Sequence, residues 1–126
     1  MPAILRGGRL WHGDAVLIYK ILLPTEWAGF EAAARFDGSP LDRSSGFIHC
    51  SSRDQVVGVA ERVFADEPEL VVVAVDTGAL GDTVRWEPVP DGGTYPHIYG
   101  PLPLSAVEAV HRVAGASVLD RDLPRE

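Results

Sequence analysis

The sequence predicts an α+β fold, a compact core of mixed or antiparallel strands with two main helices. Short runs of apolar and β-branched residues recur along the chain, as is typical of buried strands. Two longer segments in the first half carry apolar residues at helical spacing. Because helices interrupt the strands early and strands are grouped later, the order favours α+β over a doubly wound parallel sheet.

The length of 126 residues suits one domain and is too short for two sizeable cores. We expect that domain to span residues 16–118. Residues 1–15 are glycine-rich without clear periodicity, and they are interpreted as an N-terminal extension. Residues 119–126 are interpreted as a charged C-terminal tail at the periphery of the domain.

The domain is predicted to begin with a strand and a helix. Residues 16–23 form an apolar run that ends at Pro24, as expected of a buried strand. Thr25 is expected to cap a helix that closes at residues 37–38, before a polar loop at residues 39–46. The buried face of this helix would carry Trp27, Phe30, Ala33 and Ala34.

A second strand and helix follow. Residues 47–50 are predicted as a short strand, and Ser52 and Gln55 have the spacing of a capping box. The helix that they open would bury Val56, Val59, Ala60, Val63 and Phe64. Residues 70–75 are the clearest core strand, and residues 83–87 are predicted as another. Residues 105–113 carry valines at three-residue spacing, which leaves strand and short helix open.

Charge and cysteine content restrict the environment and the partners. Eleven basic and eighteen acidic residues give a formal charge of −7, which disfavours nucleic-acid binding but leaves a small anionic ligand open. The single cysteine, Cys50, excludes an internal disulfide, and no apolar run suits a signal peptide or a membrane span. We expect a cytoplasmic protein with neither membrane nor nucleic-acid partners. The sequence does not specify the oligomeric state.

Residues 46–52 are the first candidate site, because they place His49 on a strand just before a capped helix. Alternation puts Phe47 and His49 on one face of that strand. A helix N-terminus offers unpaired N–H groups to a phosphate or carboxylate, and Ser51 lies beside it. The alternative is a histidine that only hydrogen-bonds within the sheet and serines that only cap the helix.

Residues 95–103 are the second candidate, with His97 and Tyr99 in a segment stiffened by three prolines. Rigidity of this kind can hold side chains for a ligand, and a tyrosine offers a stacking face and a hydroxyl. The alternative is a stiff connection whose aromatic residues fill the core.

Arg85 and Glu87 are the third candidate, on one face of a strand. The alternative there is a surface ion pair that contributes little to stability.

Metal and cysteine chemistry have little support. His49 and Cys50 should point to opposite faces of their strand, and neither paired cysteines nor a His-x₃-His spacing occurs, so no metal site is predicted. A Cys50 nucleophile with His97 as its base is conceivable, but a lone strand cysteine is more often an inert core residue.

Several motifs, in family order, resemble the bacterial domain of unknown function 952. They are Ile18-Tyr19-Lys20-Ile21, Glu26-Trp27, Gly46-Phe47-Ile48-His49-Cys50-Ser51, Trp86-Glu87 and Pro96-His97-Ile98-Tyr99-Gly100-Pro101-Leu102. The resemblance implies a fold similar to that of ADP-ribosyltransferases, a split β-core whose cleft holds NAD in active members. In that wider group, a His or Arg of the first strand grips the adenosine ribose, an aromatic residue stacks on nicotinamide, and a Glu holds the reacting ribose. The first-strand residue here is Lys20, a departure that weakens the NAD hypothesis.

Three functions are therefore considered. The first is a module whose polar cleft binds a small anionic metabolite or nucleotide. The second is an NAD-utilising transferase or glycohydrolase. We expect no required cofactor, and NAD is the one candidate cofactor. The third is a protein-interaction domain. The candidate catalytic residues are Glu87, His49 and His97, and the candidate ligand-binding residues are Lys20, Ser51, Arg85 and Tyr99.

Overall fold

The computed structural model describes residues 3–6, 9–12, 16–90 and 92–125. The fold is α+β, and every strand pairing within these residues is antiparallel. The strands are β1 (Ala3–Arg6), β2 (Arg9–His12), β3 (Leu17–Leu22), β4 (Arg35–Phe36), β5 (Ile48–His49), β6 (Leu70–Asp76), β7 (Val84–Pro88), β8 (Thr94–Ile98), β9 (Leu102–Pro103) and β10 (Val107–Val113). The helices are α1 (Pro24–Ala33), α2 (Pro40–Ser45), α3 (Arg53–Val63) and α4 (Leu119–Asp122). No helix in the described ranges is long and apolar enough to cross a membrane.

Two three-stranded sheets form the centre of the structure. The first has the order β3-β6-β10, and all of β6 is buried because both of its faces are covered by apolar side chains. The second has the order β5-β8-β7. Backbone hydrogen bonds between Tyr19 and Ser51, of 2.7 and 2.9 Å, join the edge of the first sheet to the segment that follows β5. This junction places β3 directly beside the second sheet.

The first strand and the first helix lie where the sequence predicts them, but the helix is capped by a different residue. The helix α1 begins at Pro24, whose fixed φ suits a first helical residue, and Glu26 accepts the backbone N–H of Leu23 at 2.9 Å. Thr25 is therefore not the cap. The helix ends before residues 37–38, because Ala34 adopts a left-handed φ of 61° and β4 follows.

The polar loop predicted at residues 39–46 is instead the helix α2. Ser39 and Asp42 form a reciprocal capping box, with N–O distances of 3.2 and 2.9 Å, and Pro40 occupies the first turn. Gly46 ends the helix at a φ of 88°. These local signals outweigh the absence of an apolar face, and the helix carries Asp42 into the protein interior.

The second helix begins where the sequence predicts it, and one remaining ambiguity is settled. The capping box of Ser52 and Gln55 opens α3, and Val56 and Ala60 are fully buried. The predicted buried faces extend too far, because Val63 of α3, and Ala33 and Ala34 at the end of α1, are exposed. Residues 107–113 form the strand β10, after a short 3₁₀ turn.

The segment predicted as a charged tail packs onto the domain. Leu119 and Leu123 are buried four residues apart, one turn of α4. The Arg53 guanidinium donates to the backbone carbonyls of Asp120 and Leu123, at 3.0 and 2.7 Å. Residues 3–6 and 9–12 of the predicted extension pair as a hairpin, and the rest of residues 1–15 lie outside the described ranges.

Candidate functional site

One face of the second sheet carries a row of polar side chains. His49 on β5, His97 on β8 and Arg85 on β7 are direct cross-strand partners. Ile48 and Ile98 are the next pair along, and their side chains belong to the hydrophobic core. Because side chains alternate along strands, the polar row faces away from that core.

The first part of the row is a cluster around the buried carboxylate of Asp42. Lys20 lies on β3, and its Nζ donates to the two Asp42 oxygens at 3.2 and 2.9 Å and to the His49 carbonyl at 2.9 Å. The His49 backbone N–H donates to Asp42 Oδ1 at 3.0 Å, and His49 Nδ1 lies 2.6 Å from the same oxygen. Asp42 thus accepts hydrogen bonds from three sides, although its side chain is almost inaccessible to water.

These contacts determine the charge of Asp42. Burial by itself would raise the pKa of this carboxyl, but the hydrogen bonds from His49 and the charge of Lys20 outweigh it and hold the pKa well below its usual range. Asp42 is therefore ionised and forms a neutral buried pair with Lys20.

The second part of the row is a cluster around Glu87. Its Oε1 lies 2.7 Å from His97 Nδ1 and accepts the Tyr99 hydroxyl, also at 2.7 Å. The hydrogen bond with His97, followed by that from Tyr99, lowers the pKa of Glu87 below its ordinary value, while the pKa of Tyr99 is raised because its proton is held by Glu87. The Arg85 guanidinium lies over the Tyr99 ring, 4.6 Å from its centroid.

The two imidazoles lie side by side next to Phe47, with their ring planes inclined by 68°. Their ring centroids are 5.8 Å apart, and Phe47 packs on His97 at 3.9 Å and on His49 at 4.7 Å. Each Nδ1 is held by a carboxylate, and no described residue hydrogen-bonds to either Nε2. In a neutral ring, a proton on Nδ1 leaves Nε2 as an acceptor. Both rings therefore have Nε2 as the nitrogen left for a ligand. It accepts a hydrogen bond in the neutral ring, and it donates one to an anion once the ring has taken up a second proton.

A pocket of about 260 Å³ opens on this row of side chains. Of the candidate residues chosen from the sequence, Lys20, His49, Ser51 and His97 line it. Arg85, Glu87 and Tyr99 form instead the cluster that holds His97. The other lining residues include Tyr95, Asp42 and Leu41, and Val59, Arg62, Val63 and Phe64 from α3.

Asp42 is the residue that sequence reasoning missed. The spacing of Ser39 and Asp42 is a capping box and signals the helix α2. Nothing in the local sequence indicates that Asp42 turns inward onto Lys20 and His49, since that depends on strands distant along the chain.

The N-terminus of α3 differs from the open anion site that the sequence suggested, because the side chains of Ser52 and Gln55 each accept the other residue's backbone N–H there.

Cys50 has the properties of a core residue. Burial raises the pKa of its thiol to about 12, so the thiolate is scarce at neutral pH. In the part of the chain that the structure describes, no three His, Cys, Asp or Glu side chains are grouped so as to hold a metal ion.

Comparisons with known proteins give a family and a relative of known structure. A family model described as protein of unknown function (DUF952) matches residues 21–110. The crystal structure of protein CC0527 from Caulobacter crescentus is 39% identical and has a TM-score of 0.74, over 77% of this chain and 85% of that chain. The solution NMR structure of CC0527 is 35% identical with a TM-score of 0.71, over 83% of this chain and 95% of that chain. A search of curated proteins found no match.

Proposed function

The chain belongs to the DUF952 family, and we propose that it binds a small anionic metabolite in the pocket between α2, α3 and the polar face of the second sheet. The observation that carries this proposal is the pair of imidazoles, each held at Nδ1 by a carboxylate and each lining the pocket. Side chains fixed in this way bind a ligand without a further loss of conformational freedom.

The fixed charges around the pocket favour an anion. Lys20 and Asp42 neutralise each other. Arg62 also lines the pocket and donates to the Tyr95 hydroxyl at 3.4 Å, but it forms no ion pair with a described carboxylate. The guanidinium of Arg62 therefore leaves one unbalanced positive charge at the site, and hydroxyls of Ser51 and Tyr95 add hydrogen-bond donors.

The size of the pocket favours a ligand with one ring or a short chain. A cavity of about 150 Å³ is enough for benzene, and sites for drug-sized ligands begin at about 300 Å³. A pocket of about 260 Å³ lies between these values. A whole dinucleotide such as NAD would extend far outside it.

The proposal is tested by titrating the ¹⁵N-labelled protein with sodium acetate and with sodium phosphate at constant ionic strength. We expect saturable amide shifts that cluster at His49, Ser51, Tyr95 and His97. Arg62→Gln should weaken binding about fivefold, equivalent to roughly 1 kcal/mol. Arg112→Gln, which removes an exposed arginine of β10, is the matched control. Shifts that do not saturate, or that scatter over the surface, would overturn the proposal.

A proton-transfer enzyme is a second candidate, favoured by the orientation of the same two rings. A carboxylate on Nδ1 fixes an imidazole and leaves Nε2 to take or give a proton, as general acid–base catalysis requires. Rings 5.8 Å apart can reach two atoms of one small substrate. This candidate requires that His49→Asn and His97→Asn each abolish turnover of any substrate found, with the ligand still bound.

The remaining alternatives have less support. In an ADP-ribosyltransferase-like site, Glu87 would hold a ribose and Lys20 a phosphate or ribose, but both side chains are already occupied by neighbours. The resemblance to ADP-ribosyltransferases therefore contributes no reaction to the proposal. A protein-interaction domain is disfavoured because the His49 region opens into a pocket and is not closed.

A further inference from the structure

The two walls of the pocket differ in chemistry, and from this difference we infer that the ligand is amphipathic, an anionic group attached to a short hydrocarbon chain or ring. This inference rests on the proposed function and names the class of ligand for the same pocket. It depends on which residues the helices present and on how exposed they are.

The helical wall is mainly apolar. From α2 it presents Leu41, and from α3 Val59 and Val63, with Phe64 at the end of that helix. The wall formed by the strands carries the hydrogen-bonding groups of His49, Ser51, Tyr95 and His97, beside the apolar side chains of Ile21 and Cys50. Lys20 of β3 also lines this wall and forms a neutral pair with Asp42 of α2. A ligand that fills the pocket meets hydrogen-bonding groups on one side and hydrocarbon on the other.

Two residues of the apolar wall remain open to water. Leu41 is 58% exposed and Val63 is 56% exposed, although both line the pocket. They lie on different helices and flank its mouth. A polar metabolite that contacts only the imidazoles would leave this apolar surface exposed to water. A hydrocarbon chain that extends out of the pocket would cover it, and the burial of apolar surface is favourable in proportion to the area buried.

The position of Arg62 fits the same arrangement. It lies next to Val63 along α3 and reaches Tyr95, which is two residues before His97 on β8. An anionic group between Arg62 and the imidazoles keeps its charge at the polar wall, so that the hydrocarbon part is directed toward Leu41 and Val63. A second protein chain is a poorer occupant, because the apolar mouth continues into a cavity of ligand size.

The test is a homologous series of anions that share one head group. Acetate, butyrate and hexanoate are titrated into the ¹⁵N-labelled protein, with amide shifts giving each dissociation constant. We expect affinity to rise about twofold to fourfold per added methylene, the upper value corresponding to full burial at about 0.8 kcal/mol each. Shifts from the longer acids should extend to Leu41 and Val63.

The variants Leu41→Ser and Val63→Ser separate the chain from the head group. Both positions are more than half exposed, so we expect unchanged thermal unfolding. Each variant should lose at least half of the gain in affinity from acetate to hexanoate, taken as the ratio of the two dissociation constants measured on that variant. Val110→Ser is the matched control, since Val110 is 41% exposed on β10 and does not line the pocket.

The outcomes distinguish this inference from the proposed function. Equal affinity for acetate and hexanoate would overturn the amphipathic ligand and leave anion binding intact. The increase in affinity with chain length could also fall as much in Val110→Ser as in Leu41→Ser. That result would mean non-specific surface binding and would also overturn the amphipathic ligand. Failure of all three acids and of phosphate to bind would overturn the proposed function, and the inference with it.

Discussion

The two carboxylate–imidazole pairs of the site have opposite patterns of burial. In the first pair, the Asp42 side chain is 2% exposed and the His49 ring 37% exposed. In the second, the His97 ring is 7% exposed and the Glu87 side chain 34% exposed. Only Asp42 has a lysine as a further partner. The comparison shows that similar contacts, of 2.6 and 2.7 Å, can have different roles in stability.

The difference follows from where the charge lies. A buried carboxylate requires a balancing cation, and removing one member of such a pair leaves the other uncompensated in a medium of low polarity. A carboxylate in contact with water keeps much of its solvation, so its interactions are screened. Asp42 therefore stabilises the fold in addition to forming part of the site, whereas Glu87 mainly positions His97 and Tyr99.

The largest effect is expected from Asp42→Asn. The substitution leaves the buried ammonium of Lys20 without a counter-charge, and we expect the free energy of unfolding to fall by about 3–5 kcal/mol. Urea unfolding followed by circular dichroism measures it. A loss comparable to that of an exposed ion pair would contradict the assignment of Asp42 as a buried, ionised group.

A double-mutant cycle sharpens this point. Lys20→Met combined with Asp42→Asn removes both charges, so the double variant should be more stable than Asp42→Asn alone, with a coupling energy of about 2 kcal/mol or more. The matched control is the exposed pair of Arg35 and Asp37, whose coupling should stay below about 1 kcal/mol. Equal coupling in the two cycles would show that burial does not matter here.

Acid should reveal the same asymmetry. Because the pKa of Asp42 is lower in the folded state than in the unfolded chain, its contribution to stability is complete above about pH 4 and is lost as the pH falls toward the folded-state pKa. The wild type should therefore lose stability between about pH 4 and pH 2 more steeply than Asp42→Asn does. Unfolding midpoints in urea across this range give the two slopes, and parallel slopes would contradict the prediction.

The smallest effect on stability is expected from Glu87→Gln. Since this carboxylate is accessible to water, unfolding should change far less than in Asp42→Asn. The phenol of Tyr99 should respond instead, because Glu87 raises its pKa and the amide will not, so the pKa of Tyr99 should fall toward its ordinary value. An absorbance titration, with Tyr99→Phe as the reference, measures the change. An unchanged titration would mean that the hydrogen bond between Tyr99 and Glu87 is not formed.

Much of the fold was predictable where the signal is local and repeated. The strand β6 is an uninterrupted apolar run, and α3 combines a capping box with an apolar face. The helix α2 was missed because its six residues are too short and polar to show periodicity. In residues 119–126 the charged residues outnumber Leu119 and Leu123, so the packing of these two leucines in one cluster with Val56 and Ala60 of α3 has no local signal.

Residues of the candidate site could be proposed from the sequence, but the contacts between them could not. His49 and His97 stand in unusual local sequences, which is why both were chosen. Their proximity depends on the register of β5 and β8, and the partnership of Lys20 with Asp42 joins residues 22 positions apart. Long-range contacts of this kind leave no periodic pattern in a single sequence.

The central claim is that two carboxylates hold Nδ1 of His49 and His97 and present Nε2 to the pocket. Long-range ¹H–¹⁵N spectra of histidine-labelled protein near pH 8 test it directly, with His49→Asn and His97→Asn used to assign the rings. We expect both rings of the free protein to carry their proton on Nδ1. Butyrate should shift both Nε2 signals toward the protonated form, because only a protonated Nε2 can donate to a carboxylate. A proton on Nε2 of either ring, or Nε2 signals that butyrate leaves unchanged, would contradict the account.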